Sequence, residues 1–223
     1  MAKLGELLTR LDGARLPVHL TPVTERYVRG VGEALREPLG SRVLALLGPG
    51  RGEEALRLLG AEAERFESLL RNTVNATVVS AGHKINVIPS EAQVDVDGRM
   101  LPGFEPEQFI EEVRSVVGPE PAIEVLNVSP RMPPPELGDF YDLLCSILLD
   151  LDQRALPVPF LMIGGTDQRH FAKLGIVGYG YLPLRLAADY VLDTVHGADE
   201  RVPVAALDFG AAAFDQLLHR YRG

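Results

Sequence analysis

The sequence predicts a mixed α/β protein with a small antiparallel sheet that carries helices on one face. Three patterns support this fold class. Apolar residues recur with a helical period through the first seventy residues, and the period changes to two between residues 74 and 101. An unbroken apolar run at 158–163 then indicates a strand buried on both faces of an α/β sheet. A proline-rich stretch from Pro130 to Pro135 lies between these segments and marks the expected domain boundary.

The first seventy residues predict several helices. Leucines at positions 4, 7, 8 and 11 form one apolar stripe. Thr21 and Pro22 fit the cap and the first turn of a second helix. Two further helices are expected around 43–47 and 53–70, because the breaker Gly48-Pro49-Gly50 lies between them.

The next segment predicts short strands around one helix. Extended runs are expected at 74–80, 84–88, 92–101 and 122–128, and a helix begins at Pro106 and stops at Gly118. In the third run apolar and polar residues alternate, so Asp95, Asp97 and Arg99 share one face. The order β-β-α-β after a first helix is most of a split βαβ, or ferredoxin-like, arrangement.

The last segment predicts part of a larger α/β sheet. A helix over 140–151 leads into the strand at 158–163, and a second strand is expected at 176–181. The loop Gly164-Gly165-Thr166-Asp167 ends the first strand and begins a short helix, and the last helix begins at Pro203. Two strands are few for an independent α/β domain, so this segment is expected to be half of one.

Composition excludes several classes of protein. The net charge is −9 and the pI is about 5.1, so binding of nucleic acid or anionic lipid through the overall field is not expected. No apolar run approaches the length of a membrane span, and charges interrupt the apolar N-terminal stretch, so a signal peptide is not expected there. The single cysteine, Cys145, excludes an internal disulfide. A cytoplasmic protein is the resulting expectation.

Three groups of residues are candidates for chemistry. The glycine-rich loop at 164–167 is either a tight turn with a Thr or Asp cap, or part of a site at the carboxyl end of a strand. His196 is either a polar surface residue or one ligand of a zinc ion. Arg99, considered with Asn86, either forms an ion pair with Asp95 or Asp97, or presents a guanidinium to a substrate carboxylate.

Other polar residues are expected to have no chemical role. The paired carboxylates Glu53-Glu54 and Glu111-Glu112 lie in helical, charge-dotted stretches, where neighbouring residues do not share a face. Both pairs are therefore expected to be solvated surface. Cys145 lies within an apolar helix and is expected to belong to the core.

Five stretches taken together resemble a known family. The motifs at 72–78, 84–92 and 96–103 resemble the lid, or dimerisation domain, of the zinc aminoacylase and carboxypeptidase family, which includes acetylornithine deacetylase and carnosinase. The motifs at 164–171 and 195–203 resemble the C-terminal part of the catalytic domain of these co-catalytic metallopeptidases. The resemblance implies a lid over 1–129, with a helical insertion at about 21–70, and a catalytic segment over 130–223.

The resemblance also implies roles for the candidate residues. His196 matches a ligand of a two-zinc site, and Asn86 and Arg99 match lid residues that contact the carbonyl oxygen and the carboxylate of the substrate. Gly164, Gly165 and Thr166 match a wall of the substrate pocket. The implied reaction is hydrolysis of an amide bond in an N-acyl amino acid or a peptide with a free carboxylate. A homodimer formed through the lid is implied as well.

Several features of the family do not occur in these 223 residues. The His-x-Asp pair, the bridging aspartate, the Glu-Glu pair with the general base, and the first strand of the lid are all absent. The chain therefore matches the C-terminal half of such an enzyme, contains at most one zinc ligand, and is expected to be inactive without the N-terminal half. The alternative is a non-catalytic dimerisation module derived from the same family.

Overall fold

Helices form most of the N-terminal part of the chain. The computed structural model describes residues 1–129, 137–162, 164–187 and 197–222. Before the sheet it contains α1 (Ala2–Asp12), α2 (Pro22–Ala34), α3 (Leu39–Leu44), α4 (Gly52–Leu59) and α5 (Glu64–Leu70). The predicted start of α2 is confirmed, because Thr21 Oγ1 accepts a hydrogen bond from the Thr24 amide at 3.2 Å and the Thr24 hydroxyl accepts one from the Thr21 amide at 2.8 Å.

The single helix expected over 53–70 is wrong. The structure divides this stretch into α4 and α5, with a 3₁₀ turn at Gly60–Ala63 between them. Gly60 has a φ of +58°, which a residue without a Cβ adopts at little cost. The break turns α5 back, so that one core cluster forms from helices α2 to α5. The buried members of this cluster are Val28, Val43, Leu46, Ala55, Leu56, Leu59, Phe66 and Leu70.

An antiparallel hairpin follows these helices. β1 (Thr73–Ala81) pairs with β2 (Ala92–Arg99), so that Thr73 lies opposite Arg99 at one end and Ala81 lies opposite Ala92 at the other. A bulge between Ala76 and Val78 interrupts the register. Within the described ranges β1 and β2 pair only with each other.

Helix α6 (Pro106–Val117) lies against the hairpin and α1. It ends at Gly118, whose φ of +87° confirms the predicted stop. A second core cluster joins α1, β1 and α6 through Leu11, Leu16, Val74, Val113 and Val117. Gly98 of β2 lies under the ring of Phe109, and a Cβ at this position would overlap that ring. The helix can therefore pack this closely only over a residue without a side chain.

Four of the predicted strands do not form in the described residues. Residues 84–87 form a turn instead, in which the Val87 amide donates to the Lys84 carbonyl at 3.3 Å. The stretches 122–128, 158–162 and 176–181 are not strands of the sheet that the described residues form, and Ile163 lies outside those residues. The pattern correctly identified apolar, β-branched segments, but a strand forms only where a neighbouring strand accepts its hydrogen bonds. The predicted class, mixed α/β with a small antiparallel sheet, is confirmed.

The chain divides into two compact units. The first comprises Met1–Pro135 and Pro159–Gly175, and the second comprises Glu136–Val158 and Ile176–Gly223. In the second unit α7 (Asp139–Leu151) packs against a long C-terminal helix, numbered α9 below. The short helix α8 (Gln168–Ala172) belongs to the first unit. The sequence-based boundary at residues 129 and 130 stays a prediction.

The second unit has a small helical core. Its C-terminal helix α9 spans Val204–Arg220, as the sequence predicted from Pro203. Ile147 of α7 and Ala206 and Ala213 of α9 are fully buried. The Arg220 guanidinium bridges the two helices by donating to the Asp150 carboxylate at 2.6 Å. Within the described ranges, no helix combines the length and the apolar character that a bilayer crossing requires.

Candidate functional site

Arg99 lies at the end of the hairpin where β2 leaves the sheet. Its Nε donates to Asp97 Oδ2 at 3.0 Å, and the two side chains are 58% and 48% exposed. The ion pair expected as the simpler role of Arg99 is therefore present, with Asp97 as the partner. Asp95 instead accepts a hydrogen bond from Gln93 at 2.7 Å. A pair this exposed contributes at most about 1 kcal/mol to stability.

A buried polar network supports this end of the hairpin. Asn72, which precedes β1, is only 1% exposed. Its Oδ1 accepts a hydrogen bond from the Leu101 amide at 2.8 Å, and its Nδ2 donates to Glu112 Oε2 at 2.8 Å. Glu112 Oε1 lies 2.6 Å from His19 Nε2, and the His19 ring packs against Phe104 with the ring centroids 4.5 Å apart.

Sequence reasoning missed this network. The prediction that Glu112 belongs to solvated surface is wrong, because its side chain is only 13% exposed and is bonded at both oxygens. The helical position of Glu112 gave no sign of this, since its partners His19 and Asn72 come from distant parts of the chain. The one available signal was that Asn72 is the first residue of a family motif.

The structure places Asn86 away from Arg99 along the hairpin. Asn86 is exposed in the loop that joins Ala81 to Ala92, whereas Arg99 lies at the opposite end of the ladder. The seven residue steps of β2 between these ends correspond to roughly 23 Å. The ladder therefore does not bring the two predicted substrate-binding residues together.

Gly164, Gly165 and Thr166 form an exposed loop before α8. The Thr166 carbonyl accepts a hydrogen bond from the Arg169 amide at 3.3 Å, which begins the helix. Asp167 is the N-cap residue, but its side chain makes no capping hydrogen bond, so the expected side-chain cap is wrong.

The described residues do not provide a metal site. No three His, Cys, Asp or Glu side chains in these parts of the chain lie close enough together to hold a metal ion. His19 and Glu112 are ligand types, but they are bonded directly to each other. His196, the one zinc ligand that the family resemblance implies, lies outside the described residues.

A groove of about 870 Å³ runs between α1, α5 and the first residues of β1. Arg71 lies in its wall and is 6% exposed. Its guanidinium donates to both oxygens of Glu53, at 2.6 and 2.8 Å, and also to the Leu16 carbonyl. The hydrogen bond from Arg71 lowers the pKa of Glu53, against the smaller opposing effect of burial. Glu53 is 59% exposed, as expected of a surface residue, but it also holds the buried Arg71, whereas Glu54 pairs with Arg51 at the surface.

Cys145 lies on α7 and is half-buried. Burial raises the pKa of its thiol, so the reactive thiolate form is disfavoured. The structure thus supports the prediction that Cys145 is a packing residue.

The hairpin with its two packed helices defines a lid-like α/β domain. Residues 3–124 match a protein family, M20_dimer, described as "Peptidase dimerisation domain". Since the match covers more than half of the chain, the chain belongs to this family, and its residues correspond to the C-terminal region of M20 metallopeptidases. The resemblance stated from the motifs is confirmed.

The chain is similar in sequence to curated proteins named as a carboxypeptidase or as an N-fatty-acyl-amino acid synthase/hydrolase. The chain is 29% identical over 143 residues to "Probable carboxypeptidase S-like 2" of Dictyostelium discoideum, a match covering 62% of this chain and 27% of the relative. It is 29% identical over 154 residues to "N-fatty-acyl-amino acid synthase/hydrolase PM20D1" of Xenopus tropicalis, covering 68% of this chain and 30% of the relative. The mouse protein of that name is 30% identical over 146 residues, covering 61% of this chain and 28% of its own length.

The matched part spans less than a third of the length of these relatives. No solved structure matches the chain at a significant level. Membership of the family therefore rests on sequence, and the family establishes a hydrolase lineage and a dimerisation domain.

Proposed function

We propose that this chain supplies the lid and the C-terminal catalytic segment of a zinc-dependent amidohydrolase that cleaves an amide bond in an N-acyl amino acid or a peptide. The observation that carries the proposal is Arg99, an exposed guanidinium at the end of the hairpin, close to the buried Asn72 that bonds the Leu101 amide. A guanidinium binds a carboxylate through two parallel hydrogen bonds. The relatives' names support a substrate of this kind: one is a probable carboxypeptidase and the other an N-fatty-acyl-amino acid synthase/hydrolase, and peptides and N-acyl amino acids carry a free carboxylate.

We propose a role for each candidate residue from the chemistry of its side chain. Arg99 exchanges Asp97 for the substrate carboxylate, and Asn86 donates its amide N–H to the substrate carbonyl oxygen. The exposed loop of Gly164, Gly165 and Thr166 lines the pocket, where the absence of side chains at the glycines admits the substrate. His196 is proposed as one ligand of the zinc. When bound, zinc would supply an activated water, and the described residues by themselves form no zinc site.

The separation of Asn86 and Arg99 in one chain fits a dimeric enzyme. We propose a homodimer formed through the lid. This is supported by the family description and by Val78 and Val79 of β1, whose side chains are 53% and 49% exposed. Two subunits would allow the two ends of different hairpins to approach one substrate.

The experiment is reconstitution of activity. This chain is co-expressed with the part of the protein that supplies the His-x-Asp and Glu-Glu motifs, and the complex is assayed with zinc on N-acyl amino acids and dipeptides. We expect hydrolysis by the complex, loss of that activity in the His196→Ala complex, and none by the isolated chain, because a metal-bound water and a general base are both needed. Turnover by the isolated chain, or an inactive but folded complex, would contradict the proposal.

A second candidate function is a non-catalytic dimerisation module. The observation that favours it is the description of the matched family, which is a peptidase dimerisation domain and not a catalytic domain. A complex that forms dimers but hydrolyses none of these substrates would favour this alternative.

A further inference from the structure

The backbone around Arg99 is fixed on both sides. Thr73 lies directly opposite Arg99 in the ladder, and two residues beyond Arg99 the Leu101 amide donates to Asn72 Oδ1 at 2.8 Å. Asn72 immediately precedes Thr73, so its side chain closes the hairpin just past the last strand pair. We propose that Asn72 is a positioning residue for Arg99, and that Glu112 and His19 hold Asn72 in the orientation this requires.

The orientation of the Asn72 amide is determined by its two partners. Oδ1 faces an N–H donor at Leu101, and Nδ2 faces the carboxylate of Glu112 at 2.8 Å. Turning the amide over would place its NH₂ against the Leu101 amide and its oxygen against a carboxylate oxygen, which are two repulsive contacts. Because Asn72 is almost completely buried, water cannot replace either partner.

Glu112 also connects Asn72 to the helical segment. Its second oxygen lies 2.6 Å from His19 Nε2, and the His19 amide donates to the Leu70 carbonyl at 2.7 Å. His19 precedes the helices α2 to α5, and Asn72 follows them. The helical insertion is therefore attached at both of its ends to the residues that fix the Arg99 end of the hairpin.

This inference rests on the proposed function in one respect, namely that Arg99 binds the substrate carboxylate. Its first test does not depend on that function. Amide hydrogen exchange at Leu101 is measured by NMR in this chain for wild type, Asn72→Ala, Glu112→Ala and the control Glu111→Ala, which removes the exposed neighbour of Glu112. We expect at least about tenfold faster exchange at Leu101 in the first two variants and no change in the control. Unchanged exchange in Asn72→Ala would overturn the proposal whatever the enzyme does.

The second test uses the complete enzyme. KM is measured for a substrate with a free carboxylate and for its carboxamide analogue. We expect Asn72→Ala to raise KM for the carboxylate substrate by about tenfold and to change KM for the carboxamide analogue little. In an enzyme that already carries Arg99→Lys, adding Asn72→Ala should change KM for the carboxylate substrate by less than about twofold. Should Asn72→Ala fail to fold, Glu112→Ala takes its place in the same cycle.

A control separates positioning from loss of stability. Val43→Ala empties part of the insertion core without touching the network, since Val43 is fully buried among the helices. We expect Val43→Ala to lower Tm without changing the ratio of the two KM values. Equal effects of Asn72→Ala on both substrates, or effects that multiply with Arg99→Lys, would overturn the proposal and leave the proposed function standing. A carboxylate KM unaffected by Arg99→Lys would overturn both.

Discussion

At the scale of single residues, burial determines which ion pairs contribute to the free energy of unfolding. Glu53 and Glu54 are neighbours in sequence, yet Glu53 holds the guanidinium of Arg71, which is 6% exposed, whereas Glu54 meets the exposed Arg51. A charge that is removed from water needs its partner more than a charge that remains in water. The two glutamates therefore form a matched pair for measurement.

We expect Glu53→Gln to lower the free energy of unfolding by about 1 kcal/mol near neutral pH, and Glu54→Gln to change it by less than about 0.5 kcal/mol. The Glu53 value is at the low end for an ion pair because that carboxylate is 59% exposed. Urea unfolding followed by circular dichroism measures both variants. Equal losses in the two variants would contradict the assignment.

The same substitution has a predictable pH dependence. The folded-state pKa of Glu53 is lowered from its ordinary value of 4.5, so the ionised carboxylate stabilises the fold above that value. As pH falls through the lowered pKa, the carboxylate protonates and this contribution disappears. The stability difference between wild type and Glu53→Gln should therefore shrink as the pH falls below 4.5, when measured by the same urea titration. A difference that grew on acidification would show that Glu53 acts in another way.

At the scale of elements, close packing of α6 on the hairpin depends on Gly98. A methyl group at this position would overlap the Phe109 ring, so Gly98→Ala should destabilise the chain by about 1–3 kcal/mol. Gly180→Ala is the control, because nothing lies within 4 Å of the added Cβ. Thermal unfolding measures both, and the double variant Gly98→Ala with Phe109→Leu should recover part of the loss. A Gly98→Ala protein as stable as wild type would contradict this packing.

The helices were more predictable from the sequence than the strands. The cap at Thr21 and the stop at Gly118 are local signals, and both were confirmed because a helix satisfies its hydrogen bonds within its own segment. The apolar runs at 122–128 and 158–162 gave equally strong patterns but formed no strands, because strand pairing depends on residues elsewhere in the chain.

The candidate site shows the same limit. Arg99 and its partner Asp97 could be predicted from two-residue alternation, since both lie on one strand. The network of His19, Asn72 and Glu112 could not, because no local pattern relates residues that far apart in sequence. The motifs in the sequence identified the family. The buried residues that support the Arg99 end of the hairpin became apparent only from the fold.

At the scale of the whole molecule, the account requires that the lid contribute substrate recognition to a larger hydrolase. The matched segment spans 27% to 30% of two of its relatives. Size-exclusion chromatography with light scattering should show a dimer of this chain, since the matched family is a dimerisation domain. A monomer over a wide concentration range would contradict association through the lid.

The central claim is that Arg99 binds the substrate carboxylate, and kinetics of Arg99→Lys in the complete enzyme test it most directly. The control is Arg29→Lys, because Arg29 pairs with Glu25 at 3.0 Å and their exposures of 54% and 51% resemble those of Arg99 and Asp97. We predict that Arg99→Lys lowers kcat/KM for the carboxylate substrate by about 10- to 100-fold, equivalent to about 1–3 kcal/mol, and leaves the carboxamide analogue and the Arg29→Lys enzyme nearly unchanged. Equal kinetics of wild type and Arg99→Lys on the carboxylate substrate would contradict the account.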